Sequence, residues 1–250
     1  MMRSGNPALS AQTFQNLAPA RAVPGEAMTV QGTVNKTGIA LVLCVISAAW
    51  TWNMYLTSAN PAVVMPFIWG GAIGGFIVAI VTVFKKTWAP FTVPIYALLE
   101  GLFLGALSSM FEQQFPGIVI QAVGLTFGTL FALLFAYKSG LIKATENFKL
   151  GVVAATGAVA LIYMASIVLS FFGTSIPYIH ESGTIGILFS LAVVVIAALN
   201  LVLDFDFIET GAERGAPKYM EWYGAFGLLV TLIWLYLEML RLLAKLNQRR

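Results

Sequence analysis

The chain has 250 residues, 59% of them hydrophobic and 10% charged, with a mean hydropathy of +0.85. A soluble domain carries about 25% charge, and a single core of this size cannot hide so much apolar surface, which excludes a water-soluble enzyme. The net charge of +3 reflects 14 Lys+Arg against 11 Asp+Glu with no basic cluster interleaved with aromatics, which argues against nucleic acid, while a single cysteine, Cys44, and a single histidine, His180, exclude an internal disulfide and a Cys/His metal site.

Residues 1–35 are polar and rich in Ala, Pro, Gly, Gln and Thr. They lack an apolar stretch behind basic residues, so they read as a mobile cytoplasmic tail rather than a cleaved signal peptide. Residues 36–250 then form the membrane domain. Seven apolar segments follow in order: Thr37 to Leu56, Ala62 to Phe84, Phe91 to Phe111, Ile118 to Tyr137, Leu150 to Phe172, Thr184 to Phe207 and Trp222 to Leu246. Each is long enough to cross about 30 Å of hydrocarbon at 1.5 Å per residue. Membrane strands would need only about 10 residues of alternating polarity, which these runs do not show. The predicted class is an all-α membrane protein with about seven transmembrane helices.

The loops carry punctuation and a charge bias. Asn60-Pro61, Lys85-Lys86 with Pro90, Pro116-Gly117, Lys138 to Lys149, Gly173 to Gly183 and Gly211 to Lys218 separate the segments. With a cytoplasmic amino terminus, every Lys and Arg of the tail and loops falls inside, and the three opposite loops contain none. The carboxyl end, with Arg241, Lys245, Arg249 and Arg250, runs against this bias. Either the last segment crosses and tolerates those charges, or it does not fully cross. Loop bias outweighs a short tail, so seven spans are expected.

Small residues recur four apart in Gly71-x-x-x-Gly75, Gly101-x-x-x-Gly105 and Gly124-x-x-x-Gly128. That spacing places them on one helix face, where backbones can approach, and packing within the monomer is the expected use.

An ionisable group inside hydrocarbon is destabilising by about 2.5–3.5 kcal/mol on insertion scales and is a functional candidate by default. Glu100 lies near the middle of the third segment with no basic residue within a turn. It therefore takes a partner from another helix or sits protonated. Asp204 and Asp206 lie near the cytoplasmic end of the sixth segment, about 200° apart around a helix, so they cannot share a face. Asp204, with Asn200 one turn away, is the expected inner member. Glu221 opens the seventh segment beside Trp222 and Tyr223, as an interfacial anchor or as a group facing Asp204 or Asp206. Glu238 and Arg241, three apart, are positioned for a local ion pair, or Arg241 snorkels to the interface. No tight metal site and no catalytic set is expected. His180 would have to act as base from a loop after Pro177, and no HExxH, GxSxG or Walker loop is present.

The seven-span plan, Glu100-Gly101-x-x-x-Gly105, the run Asn200-Leu-Val-Leu-Asp204-Phe-Asp206-Phe-Ile208-Glu209 and the ending Trp234-Leu-Tyr-Leu-Glu238-Met-Leu-Arg241 together resemble the Bax inhibitor family in its bacterial, YccA-like branch, over roughly residues 37–246. The resemblance implies six helices around a central seventh and a pH-sensitive calcium leak. It also implies a pair of aspartates, on the sixth and seventh helices, that shares a proton. Asp204 matches the first aspartate. The place of the second falls near Thr231, which cannot ionise, leaving Glu221, Asp206 or Glu100 as substitutes, or a branch that does not gate by pH. The expected function is a calcium leak channel in a bacterial inner membrane, with protons and calcium as its ions and no cofactor. The alternative is a non-transporting regulator that binds other membrane proteins, such as a membrane protease.

Overall fold

Turn chemistry between the apolar runs sets where each helix begins. In the computed structural model, which describes residues 27–58, 60–173 and 182–249, seven helices are present among the described residues: α1 Val30–Ser58, α2 Pro61–Phe84, α3 Ala89–Gln114 after a short 3₁₀ turn, α4 Ile118–Lys138, α5 Glu146–Phe171, α6 Thr184–Glu213 and α7 Met220–Gln248. All seven spans, the third counted together with its 3₁₀ turn, are long and apolar enough to cross a membrane, and the protein is an all-α multi-pass membrane protein. His180, Pro177 and most of the 1–35 tail lie outside the described residues.

The caps explain the boundaries. Thr29 Oγ1 accepts from Gly32 N at 2.9 Å, the N-cap arrangement, so α1 starts at Val30 and takes in residues assigned to the tail from sequence. Asn60 Oδ1 accepts from Ala62 N at 3.0 Å, and Pro61 fills the first helical position of α2, where no N–H is needed. Thr145 caps α5 through Phe148 N, with Glu146 in the first turn against the helix dipole. Between α3 and α4 the chain reverses through Gly117 at φ 85°, a backbone state that glycine enters without a Cβ penalty. α6 and α7 extend beyond their apolar runs, to Glu213 and back to Met220, so that Asp204 and Asp206 are interior helix residues.

The chain divides into two compact units, and α6 and α7 each contribute to both. The first unit holds residues 27–116 with 207–230. There α3 packs on both α1 and α2. A Cβ at Gly101 would overlap the Cys44 carbonyl and the Ser47 hydroxyl, and one at Gly105 would overlap the Ala48 carbonyl. A Cβ at Gly71 would sit 2.6 Å from Leu99 O. These glycines let α3 approach its neighbours at backbone distance. Tyr55, Val64 and Ala106 form a buried knot nearby, flanked by Phe67, Ile68 and Met110.

The second unit holds residues 117–206 with 231–249. Here Tyr163 of α5 meets Phe189 of α6 edge-on at 6.3 Å, and Tyr137 of α4 lies 5.9 Å from Phe205. Gly124 and Gly128 on α4 have nothing within 4 Å of a Cβ, so this third small-residue pair does not pack against the described residues.

Candidate functional site

Among the described residues four carboxylates are buried: Glu100, Asp204, Glu221 and Glu238. Two lie in each unit, and they are held in different ways.

In the first unit, Glu221 stands at the start of α7 and is fully buried. One oxygen accepts from Thr29 N at 3.0 Å, Thr29 Oγ1 at 2.9 Å and Lys218 Nζ at 2.8 Å, and the other receives Lys36. The carboxyl group at the start of α7 thus gathers the N–H and hydroxyl of the residue that caps α1 and two ammonium groups, a set of charge-assisted hydrogen bonds. Its oxygens are thus engaged by the start of α1 and two lysines. Gly32 leaves the room this needs, since a Cβ there would overlap the carboxylate. Beside it, Met28 N donates to Ala216 O at 2.6 Å and Ala27 pairs with Pro217, clipping the α6–α7 turn to the chain entering α1. The Lys36 ammonium also lies 5.9 Å over the Trp222 ring.

Glu100 sits deeper in the same unit. Its carboxylate lies over Gly75 of α2, where a Cβ would come within 2.6 Å of Oε1, and Tyr96, one turn earlier on α3, hydrogen-bonds it. Tyr96 in turn meets Phe226 of α7 at 5.1 Å. The residue from another helix that accommodates Glu100 is therefore a glycine that provides space.

In the second unit, Asp204 is fully buried in α6. Asn200, one turn away, donates to Thr156 Oγ1 of α5 and to Ile196 O, each at 2.8 Å. Asp206, on another side of α6, is partly exposed and pairs with the buried Lys149 of α5 at 2.8 Å. The two aspartates are therefore in different settings, as their 200° separation requires.

Glu238 of α7 is the fourth buried acid. It accepts from Arg241 at 2.8 Å, from Tyr163 Oη at 2.9 Å and from Trp234 Nε1 at 3.3 Å, while the Arg241 guanidinium lies 5.0 Å over the Tyr163 ring. One turn further, Lys245 is 5% exposed and donates to Gly186 O at 3.0 Å and to Ser190 Oγ at 2.9 Å, both in the first turns of α6. This contact sets the register of two antiparallel helices. From Ser190 to Asp204, and from Lys245 back to Thr231, are each about 21 Å of helix. Because Lys245 also reaches Gly186, one turn from Ser190, this count places Thr231 only within roughly a turn or two of the height of Asp204.

From the sequence, Lys245 and Lys149 count only toward the charge bias of the loops and ends, and Tyr163 and Thr29 have no assigned role. Only Lys245 left a trace, since Thr231, Glu238 and Lys245 recur every seventh residue on one face of α7, all buried. The other three meet their acids through tertiary contacts. Among the described residues no group of three or more His, Cys, Asp or Glu is placed to hold a metal ion.

No curated protein and no solved structure matches the chain. A family model described as Bax inhibitor 1 like matches residues 6–248, nearly the full length and all seven helices described above. The chain belongs to the Bax inhibitor family.

Proposed function

We propose that the protein is a passive, proton-modulated leak pathway for cations, with calcium the leading ion, in a bacterial inner membrane. The observation that carries this reading is Asp204, a carboxyl group fully buried in an apolar span, with Asn200, itself bonded to Thr156, one turn away. A group so placed changes the local charge by one unit whenever it exchanges a proton, and in low dielectric that change is felt strongly by a passing cation. Family membership supports the reading as well. Calcium prefers six to eight oxygen ligands, so isolated carboxylates suit passage better than storage.

The loop bias supports a cytoplasmic amino terminus and an external carboxyl end. Of the cations that run against the bias, Lys245 is buried and satisfied by α6, whereas Arg241, bound to Glu238 and Tyr163, keeps its side chain partly exposed. Lys245 therefore weighs less on the choice of side than an exposed lysine would.

The test is calcium entry into liposomes holding the purified chain, across pH 6 to 8. Flux above empty liposomes that varies with pH, with the variation flattened in Asp204→Asn, is the expected result. No flux from folded protein would favour the non-transporting regulator. Flux with unchanged pH dependence in Asp204→Asn would remove Asp204 from the mechanism.

A further inference from the structure

We propose that Lys245 is a tethered cation that plugs the carboxyl-terminal end of the pathway, occupying an oxygen site that a permeating ion would otherwise use. This rests on the leak reading above and adds the means by which the leak is held down.

The second unit carries buried polar groups along the α6–α7 face over most of its length. Asp204 and Asn200 stand at one end, Glu238 with Tyr163 and Arg241 along the way, and Ser190 with Lys245 at the other end. The acids and cations are not mixed evenly. Passing from Asp204 toward the end of α7, the groups met are a carboxylate already joined to a guanidinium, and then an ammonium. A cation drawn toward Asp204 along this face from that end meets both positive charges.

The setting of Lys245 is the second part of the case. A backbone carbonyl and a hydroxyl are the oxygen ligands that channels use to replace an ion's hydration shell. Here Gly186 O and Ser190 Oγ converge on one ammonium at 3.0 and 2.9 Å. An ammonium is a compact point charge on a flexible stem, so it can fill such a site and also leave it. A buried lysine in a span that otherwise reads as apolar is a functional candidate by default. The packing role, tying the last turns of α7 to the first turns of α6, does not by itself require a charge there.

The decisive comparison is cation flux through Lys245→Met, which keeps the length of the side chain and removes its charge, beside the unaltered chain in liposomes. Lys245→Met is expected to raise flux by at least about tenfold, because one tethered charge in a low-dielectric passage is a large barrier to another. In Lys245→Cys the raised flux should fall again when an aminoethyl thiosulfonate reagent restores an ammonium, and not with the methyl reagent. The unaltered chain, whose Cys44 is buried, serves as the control for labelling. If both Lys245 variants fail to fold, Ser190→Ala, which removes one ligand of the ammonium, should give a smaller rise, and an unchanged flux there overturns the plug. Flux from the unaltered chain that Lys245→Met leaves unchanged or lowers overturns the plug and leaves the leak standing. Flux seen only in Lys245→Met supports a plug that is closed at rest. No flux from either folded protein overturns both.

Discussion

The glycines of α3 and those of α4 share one spacing and opposite surroundings. Gly101 and Gly105 are pressed against carbonyls of α1, so that any Cβ would collide with backbone. Among the described residues, nothing lies within 4 Å of a Cβ built at Gly124 or Gly128. The pattern of small residues four apart thus states that a helix face permits close approach. Whether the approach happens depends on what the fold brings there. In the first unit the glycines have the further task of making room for buried carboxylates, Gly75 for Glu100 and Gly32 for Glu221.

The sharpest way to break this comparison is at Gly101. Gly101→Ala drives a methyl group into the Cys44 carbonyl, and a helix backbone cannot yield as a side-chain tip can. Overpacking of a tight interface typically destabilises by about 1–3 kcal/mol, and a backbone clash belongs at the upper end or beyond. The expected outcome is loss of most folded protein, read as the monodisperse fraction on gel filtration in detergent. A normal yield and melting temperature would mean that α1 and α3 are not in backbone contact.

Next in size is Glu221→Ala. It leaves Lys36 and the N–H of Thr29, the residue that caps α1, without their shared anion, and removing one partner of a buried ion pair is destabilising by about 3–5 kcal/mol. Lys218 is half exposed and Lys36 partly so, and water can take over some of those contacts, so about 2–3 kcal/mol is expected. The loss should be local, with faster amide exchange in the first two turns of α1 and little change in α4 and α5. Gly32→Ala, which pushes the same carboxylate aside, should reproduce that pattern. Uniform loss of protection along the chain would instead make Glu221 a global support.

Smaller still is Glu100→Gln. The amide keeps an oxygen for Tyr96 and fits the same space over Gly75, so thermal unfolding should show a loss of stability below about 1 kcal/mol. A collapse of the folded fraction would reveal that Glu100 is needed as a charge.

These contrasts also mark how much the chain disclosed before its structure was known. The spans were legible because hydrocarbon demands long apolar runs, and Asn60-Pro61 and Pro116-Gly117 are local turn chemistry. The Glu238–Arg241 contact lies within one helical turn, so spacing alone could propose it. The start of α1 at Val30 was hidden, since polar residues in its first turns look like a tail until Thr29 and Glu221 cap them. The partners of Asp206 and Lys245 come from α5 and α6, at separations that no helical period links. The lysines were read as markers of sidedness, and the fold also uses two of them as buried donors.

The smallest expected effect lies on α4 and tests the other half of the comparison. Gly124→Ala and Gly128→Ala meet no atom of the described residues. Alanine favours the helix over glycine by up to about 1 kcal/mol in a helix interior, so each variant should melt at the same temperature as the parent or slightly above it. The two substitutions together should behave as the sum of the singles, because neither creates a contact for the other to disturb. A clear loss of stability, or a shift in the mass of the detergent-solubilised particle, would mean that another molecule covers this face in the membrane. The glycines of α4 would then be doing between chains what those of α3 do within one.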